Sequence, residues 1–370
     1  MFTYALAFAR APSALVVIFR AVRHAWLLGG MLLGCSATPP AVDAEPWPEA
    51  SALFRNDAEW IGGDGAYSVD LGASRVLWLF GDSFISTSPA HSRSESYFIR
   101  NSVALQTGYD PARAFMRFYY GRKDEHPASF VPEDGKYWFW PGHGIRLGNR
   151  LLLFYGRVFQ QSEGMWGFAS GNSTVFSVDN PDDEPSAWHF QELPIGDASS
   201  SLQLGGAVLE EGTWLYVYGN EGDHHDVYLA RFDDQAARAG DLSSPEWWGE
   251  SGFGAYAQRA ALIAPGAPEF SVNYSTQLGK FVFTETEGFG ATTLAMRIAS
   301  APEGPWSSPR DVLRPPESFN PDAFVYAGKA HPEQQGADLA MTYVPSSMDG
   351  VPPDPTDDLY YPRFVRVSYR

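Results

Sequence analysis

Asp64 and Asp82 are the residues around which a chemistry can be built. Each follows glycine, in Gly62-Gly63-Asp64 and in Gly81-Asp82, and each stands at the outer end of a strand-like stretch. Residues 66–71 alternate loosely, residues 71–74 (Leu-Gly-Ala-Ser) read as a turn, and residues 75–80 form a short apolar run that stops at Gly81. A hairpin brings the start of its first strand beside the end of its second. Both aspartates therefore arrive at one rim, on backbone that glycine lets a ligand approach closely. Two neighbouring carboxyls are the minimum for cleaving a glycosidic bond, one held protonated as the acid and the other ionised as base or nucleophile. Capping of the two turns is the plainer account of the same residues.

Further polar residues are candidates for the same site. A third carboxylate is available at Glu221, Glu285 or Glu333, although a solvated loop charge is the simpler account of each. Residues 326–333 (Tyr-Ala-Gly-Lys-Ala-His-Pro-Glu) are the most unusual polar run, with Lys329, His331 and Glu333 close together and Pro332 fixing the backbone between the last two. His331 and Glu333 are suited to holding a sugar hydroxyl, orienting an acid or binding a cation, with a satisfied structural histidine as the competing account of His331. Trp138, Trp140 and His143 offer an aromatic wall ending in a histidine, suited to a sugar face, with core packing of the tryptophans as the competing account. No metal and no cofactor is expected. The adjacent His224 and His225 would point to opposite sides of an extended chain, and no HExxH motif or cysteine ligand set is present. Residues 81–84 (Gly-Asp-Ser-Phe) look like the GDS block of GDSL esterases, but no histidine lies three residues after an aspartate and the alternating helices are missing.

These residues are scattered, and a repeated strand pattern is what would gather them. Strongly apolar runs occur at 76–80, 151–155, 214–218, 281–284 and 339–343. Each has a partner stretch upstream (66–71, 144–147, 206–209, 271–276, 324–329) and a further strand downstream (102–107, 173–178, 226–232, 292–300, 364–369). Outer strands are expected at 115–120, 189–193 and around 309–313, and helical periodicity is confined to 234–239. Five units of three or four strands predict an all-β fold, a five-bladed β-propeller. A sandwich needs no five similar units, and a solenoid period would be shorter. In a propeller, Asp64, His143, Gly205, Asn273 and residues 329–333 face the funnel, with Asp82, Asn220, Glu221 and Glu285 in a ring just outside it.

The chain of 370 residues carries a net charge of −18 without a Lys/Arg cluster after its N-terminus, which argues against nucleic acid as a partner. Arg10, Arg20 and Arg23 precede an apolar run over 25–33 that ends in Leu32-Leu33-Gly34-Cys35. This is the order of a secretory signal, and its last four residues resemble a bacterial lipobox. Cys35 is the single cysteine, so no intramolecular disulfide can form. Residues 1–34 are expected to be a cleaved signal peptide, Cys35 the lipidated residue, and residues 35–51 a flexible tether to a domain at 52–370. Loss of residues 1–34 removes three arginines and no acid, so the charge goes from −18 to −21. Ser36, rather than aspartate, after the cysteine points to the outer membrane or cell surface. The membrane is then touched only through the lipid, and the domain is expected to be a monomer.

Five stretches in order, GGDGAYSV with LWLFGDSF, RNSVAL at 100–105, WPGHG at 140–144 and YAGKAHPE at 326–333, resemble the endo-D-arabinofuranases, glycoside hydrolase family 183, long known only as a domain of unknown function. The likeness spans residues 52–370. It implies a five-bladed propeller acting on arabinofuranose-containing polysaccharide, with Asp64 and Asp82 as the catalytic pair and Asn101, within RNSVAL, among the substrate contacts. The segment 160–166 and the acidic loop 179–184 do not match that family. The alternative from another class is a non-catalytic glycan-binding propeller lipoprotein.

Overall fold

The computed structural model describes residues 38–89, 91–164, 166–196, 201–288, 290, 293–347 and 358–370. The expected signal peptide, residues 1–34, and Cys35 lie outside the described residues.

Each of the five apolar runs is the second strand of an antiparallel sheet. Sheet I is Tyr67–Gly72, Arg75–Phe80, Ser102–Thr107 and Phe115–Tyr119. Sheet II is Tyr137–Leu147, Arg150–Gln160, Phe168–Val178 and Phe190–Leu193. Sheet III is Gln203–Glu211, Trp214–Glu221, Asp226–Asp233, Glu246–Gly249 and Gly252–Gly254. Sheet IV is Phe270–Ser275, Lys280–Thr286, Leu294–Ala299 and Arg310–Leu313. Sheet V is Ala323–His331, Leu339–Ser347 and Arg363–Tyr369, completed on its outside by Val42–Pro46. The expected helix is present at Asp234–Ala239, capped by the Asp233 side chain and ended by Gly240.

The second strands are apolar on both faces because each sheet is covered on both sides. Leu77 and Leu79 of sheet I pack with Leu151 and Leu153 of sheet II, while Leu152 and Phe154 face Leu215 and Val217 of sheet III. Tyr216 and Tyr218 meet Phe283 of sheet IV, and Val282 meets Met341 and Tyr343 of sheet V. Ala340 and Phe364 of sheet V then pack with Val76, Trp78 and Phe80, returning to sheet I. The period of two along each strand thus sends alternate side chains to opposite neighbours.

The tether reading needs correction at its C-terminal half. Val42–Pro46 pairs with Arg363–Tyr369, from Val42 against Tyr369 to Pro46 against Val365. Trp47 is buried, its N–H donates to the Phe364 carbonyl at 2.8 Å, and Phe54 stacks on Phe364 at 5.3 Å. Burying side chains of this size is worth roughly 1.5–3 kcal/mol each, so residues 42–51 belong to the fold.

Inner strands of sheets II, III and V each carry a bulge, between Pro141 and Gly144, Leu204 and Ala207, and Tyr326 and Lys329. In sheets II and V the bulge separates a rim residue, Trp140 or Tyr326, from residues deeper along the strand. Close approach of the strands requires glycine at 142, where a β-carbon would stand 2.5 Å from the Gly205 carbonyl oxygen. Between the five inner strands lies a cavity of about 350 Å³, lined by residues 67–70, 143–146, 208, 271–273 and 329–333.

Candidate active site

Asp64 and Asp82 meet where the sheet I hairpin joins a small sheet formed by Trp60–Gly63, Ser83–Ser86 and Ser96–Ile99. Gly63 pairs with Ser83, and Gly65 and Ala66 then turn the chain through positive φ into the first strand of sheet I. The Asp64 N–H donates to the Asp82 carbonyl at 3.2 Å, and the Gly81 N–H donates to the Asp64 carbonyl at 3.0 Å. The backbones of the two acids are therefore locked side by side, at one rim.

Their side chains meet different partners. Tyr326 and Tyr360 both donate their hydroxyls to Asp64 Oδ2, at 2.8 and 3.1 Å. Asp64 Oδ1 lies over Gly81, where a β-carbon would stand 2.5 Å from it. Asp82 Oδ1 accepts from Trp140 Nε1 at 2.9 Å, and Arg100 approaches both Asp82 oxygens at 3.4–3.5 Å. The Asp82 side chain is 16% exposed and that of Arg100 27%, so the pair remains within reach of a ligand.

Electrostatics separate the two carboxyls. Burial, then the charges of Asp82 and Glu269, push Asp64 up to about 8 against the pull of the two tyrosine hydroxyls. Burial pushes Asp82 up to about 6, held back by Arg100 and by the Trp140 hydrogen bond. Burial raises both carboxyls, and Asp82, with a guanidinium and an indole N–H beside it, is the more readily ionised of the two, the asymmetry that acid–base cleavage uses.

A third carboxylate does stand near Asp64, and it is Glu269, immediately before the first strand of sheet IV. It forms an ion pair with Lys329, which is buried and lies 4.2 Å from the Tyr67 ring centre. Glu285 is instead paired with Arg297 at 3.0 Å inside sheet IV, with 2% exposure. Glu333 lines the cavity beyond His331, interacting with Ser68 and Gln334. Glu221 pairs with Arg259 at 2.7 Å.

The structure brings Trp140 to the acid pair and Lys329 to Glu269, and engages Asn101, His143 and His331 elsewhere. Asn101 is fully buried: its amide donates to the Val131 and Phe139 carbonyls and accepts from the Val131 N–H, pinning a loop to sheet II. His143 accepts from the Val208 N–H at Nδ1, so Nε2 donates to the Ser68 carbonyl at 2.9 Å, and burial pulls its pKa down to about 4. A neutral ring tying three inner strands is its structural role. His331 is buried between Ser68 Oγ at 2.6 Å and Thr342 Oγ1 at 2.8 Å, with its pKa drawn well below the usual range by burial. Asn273 lines the cavity. Neither aspartate lines that cavity; Tyr67 and Lys329 connect it to the acid cluster. Among the described residues no group of three or more His, Cys, Asp or Glu is placed to hold a metal ion.

Sequence reasoning passed over Glu269 and assigned no role to Tyr326, Tyr360 or Arg100. Glu269 did carry a signal, since it precedes the inner strand of sheet IV much as Asp64 precedes that of sheet I.

Comparison with known proteins adds the following. A family model described as a domain of unknown function (DUF5005) matches residues 49–369. No curated protein matches the sequence. Among solved structures, a Bacteroides ovatus protein for which a hydrolase function has been suggested superposes with a TM-score of 0.69 at 18% identity, covering 88% of this chain and 90% of its own. A β-xylosidase, RS223, gives 0.50 at 14% identity over 86% and 93%. A GH43_1 enzyme of Xanthomonas citri, complexed with xylotriose, gives 0.46 at 13% identity over 87% and 93%. At these identities the first two likenesses are ones of fold.

Proposed function

We propose, for a chain that belongs to the DUF5005 family of domains of unknown function, that it is a glycoside hydrolase with Asp64 as acid and Asp82 as base or nucleophile. The observation that carries this reading is the placement of two adjacent carboxyls in opposite environments, one beside two phenols and the other beside a guanidinium and an indole. Because Asp64 Oδ2 accepts from both tyrosines, the acid proton is left to Oδ1, which lies over Gly81. From there it would pass to the glycosidic oxygen as the bond breaks. Asp82, ionised and oriented through Oδ1 by Trp140, would present Oδ2 to a water or to the anomeric carbon. In this reading the five sheets are the blades of one propeller, whose rim carries the site, and the fold it shares with a β-xylosidase is in keeping with it.

The proposed substrate is an arabinofuranose-containing polysaccharide, on the strength of the motif likeness around residues 62–84, 100–105, 140–144 and 326–333. Lipidation at Cys35, with an outer-membrane or cell-surface location, is part of the same proposal. The test is incubation of the residue 36–370 protein with arabinans and other furanose glycans, with product analysis, beside Asp64→Asn and Asp82→Asn. Each variant should lose about 10²-fold or more in rate and retain the fold, and the double variant should be little worse than the poorer single one. Binding without hydrolysis by the wild type would make the protein a glycan-binding module. Full activity in Asp64→Asn would remove that residue from the mechanism.

A further inference from the structure

We propose that Trp166 is a stacking platform for the sugar chain next to the cleaved bond, carried to the acid pair by the elongated hairpin of sheet II. The inference rests on the glycosidase reading and concerns a segment outside the matching motifs. Strands Arg150–Gln160 and Phe168–Val178 each run 11 residues, whereas the second strands of sheets I, III and IV run 6, 8 and 7. The extra length lies at the Gln160 end. There the tip is closed by Gln161 and Ser162 N–H groups donating to the Gly167 carbonyl, both at 2.8 Å, and by the Gln160 amide donating to the Ser162 and Gly164 carbonyls.

This polar, well-tied tip holds one large apolar ring out. Trp166 is 55% exposed. Its ring lies 6.3 Å from that of Phe324 in sheet V, although sheets II and V pack on opposite faces of sheet I. Phe324 stacks on Tyr326 at 5.1 Å, and the Tyr326 hydroxyl is 2.8 Å from Asp64 Oδ2. The hairpin therefore reaches past the sheet that carries the acids and ends two aromatic rings from the proton donor. A half-exposed indole contributes little to a core. Its flat face suits the C–H face of an uncharged sugar, and continuity with the acid pair makes the substrate its occupant.

The experiment compares Trp166→Ala and Trp166→Phe with wild type, using the polymeric arabinan that wild type cleaves for kinetics and a soluble oligosaccharide of it for calorimetry. Trp166→Ala should lower kcat/KM about tenfold with the loss carried by KM, weaken oligosaccharide binding by a similar factor, and be largely rescued by phenylalanine. Unchanged KM and affinity beside an active wild type would overturn the inference and leave the glycosidase reading intact. A loss confined to kcat would also overturn it, because the ring would then act through Phe324 and Tyr326. So would a change in oligomeric state without a change in affinity. A wild type that neither binds nor cleaves any glycan would end the glycosidase reading, and this inference with it.

Discussion

Replacing Gly81 with alanine asks how closely catalysis depends on the position of the Asp64 carboxyl. The new β-carbon would stand 2.5 Å from Asp64 Oδ1, and real contacts of this kind begin near 3.0 Å. The carboxyl must therefore retreat by roughly half an ångström or more. It has little freedom to do so: Oδ2 is held by two phenols, and the backbone on either side is bonded to Gly81 and Asp82. A misplacement of about 1 Å can cost 10²-fold in rate, so kcat should fall by about 30–100-fold, or ~2–2.7 kcal/mol of transition-state stabilisation. The fold should tolerate the change. Gly81 does not use left-handed backbone, and the reduced freedom of the unfolded chain returns about 0.4–1 kcal/mol. Initial rates on the cleaved glycan, measured beside thermal melts, separate the two effects. A folded Gly81→Ala protein with kcat within threefold of wild type would refute the proposed role of Oδ1.

Two further outcomes are expected. The folded-state pKa values of Asp64 and Asp82, about 8 and about 6, lie above the ordinary 3.8 of an aspartate. The unfolded chain thus releases these protons first, and the stability they confer is full below about pH 4 and is lost as pH rises through 6 and then 8. Melting temperature should therefore fall over that window, and less steeply in Asp64→Asn; equal slopes measured by thermal shift across pH would contradict the assignment. Cys35→Ala should release the protein from the membrane fraction, because the proposed anchor depends on acylation of that residue. Fractionation that leaves the variant membrane-bound would argue against lipidation.

Much of the strand pattern was legible because it is local. Runs such as Val76–Phe80 and Leu151–Tyr155 announce interior strands, and the nearness of Asp64 and Asp82 follows from one hairpin. What was hidden depends on long-range pairing. Val42–Pro46 has the composition of a linker and becomes a strand only against Arg363–Tyr369. The Glu246–Gly249 strand was likewise unmarked, since it pairs with Asp226–Asp233 through only two residues. Polar residue type is an ambiguous signal as well. Asn101, His143 and His331 have the chemistry of substrate contacts, yet each has its hydrogen-bonding groups engaged within the protein. Glu269, Tyr326 and Tyr360 surround Asp64 only because sheets IV and V and the last segment of the chain return to sheet I, which no local pattern reveals.

The outer strand of sheet V is a clasp between the two ends of the chain. A protein trimmed to start at Ala52, where the repeating pattern begins, would lose Val42–Pro46 and Trp47 and leave Arg363–Tyr369 as a bare edge. Val365 and Val367 lie on that edge, and unpaired strands of this kind recruit other chains. The clasp also orders events in time. Val42–Pro46 cannot dock until Arg363–Tyr369, more than 300 residues later, has been made, so the fifth sheet stays unfinished through most of synthesis and is fastened only afterwards.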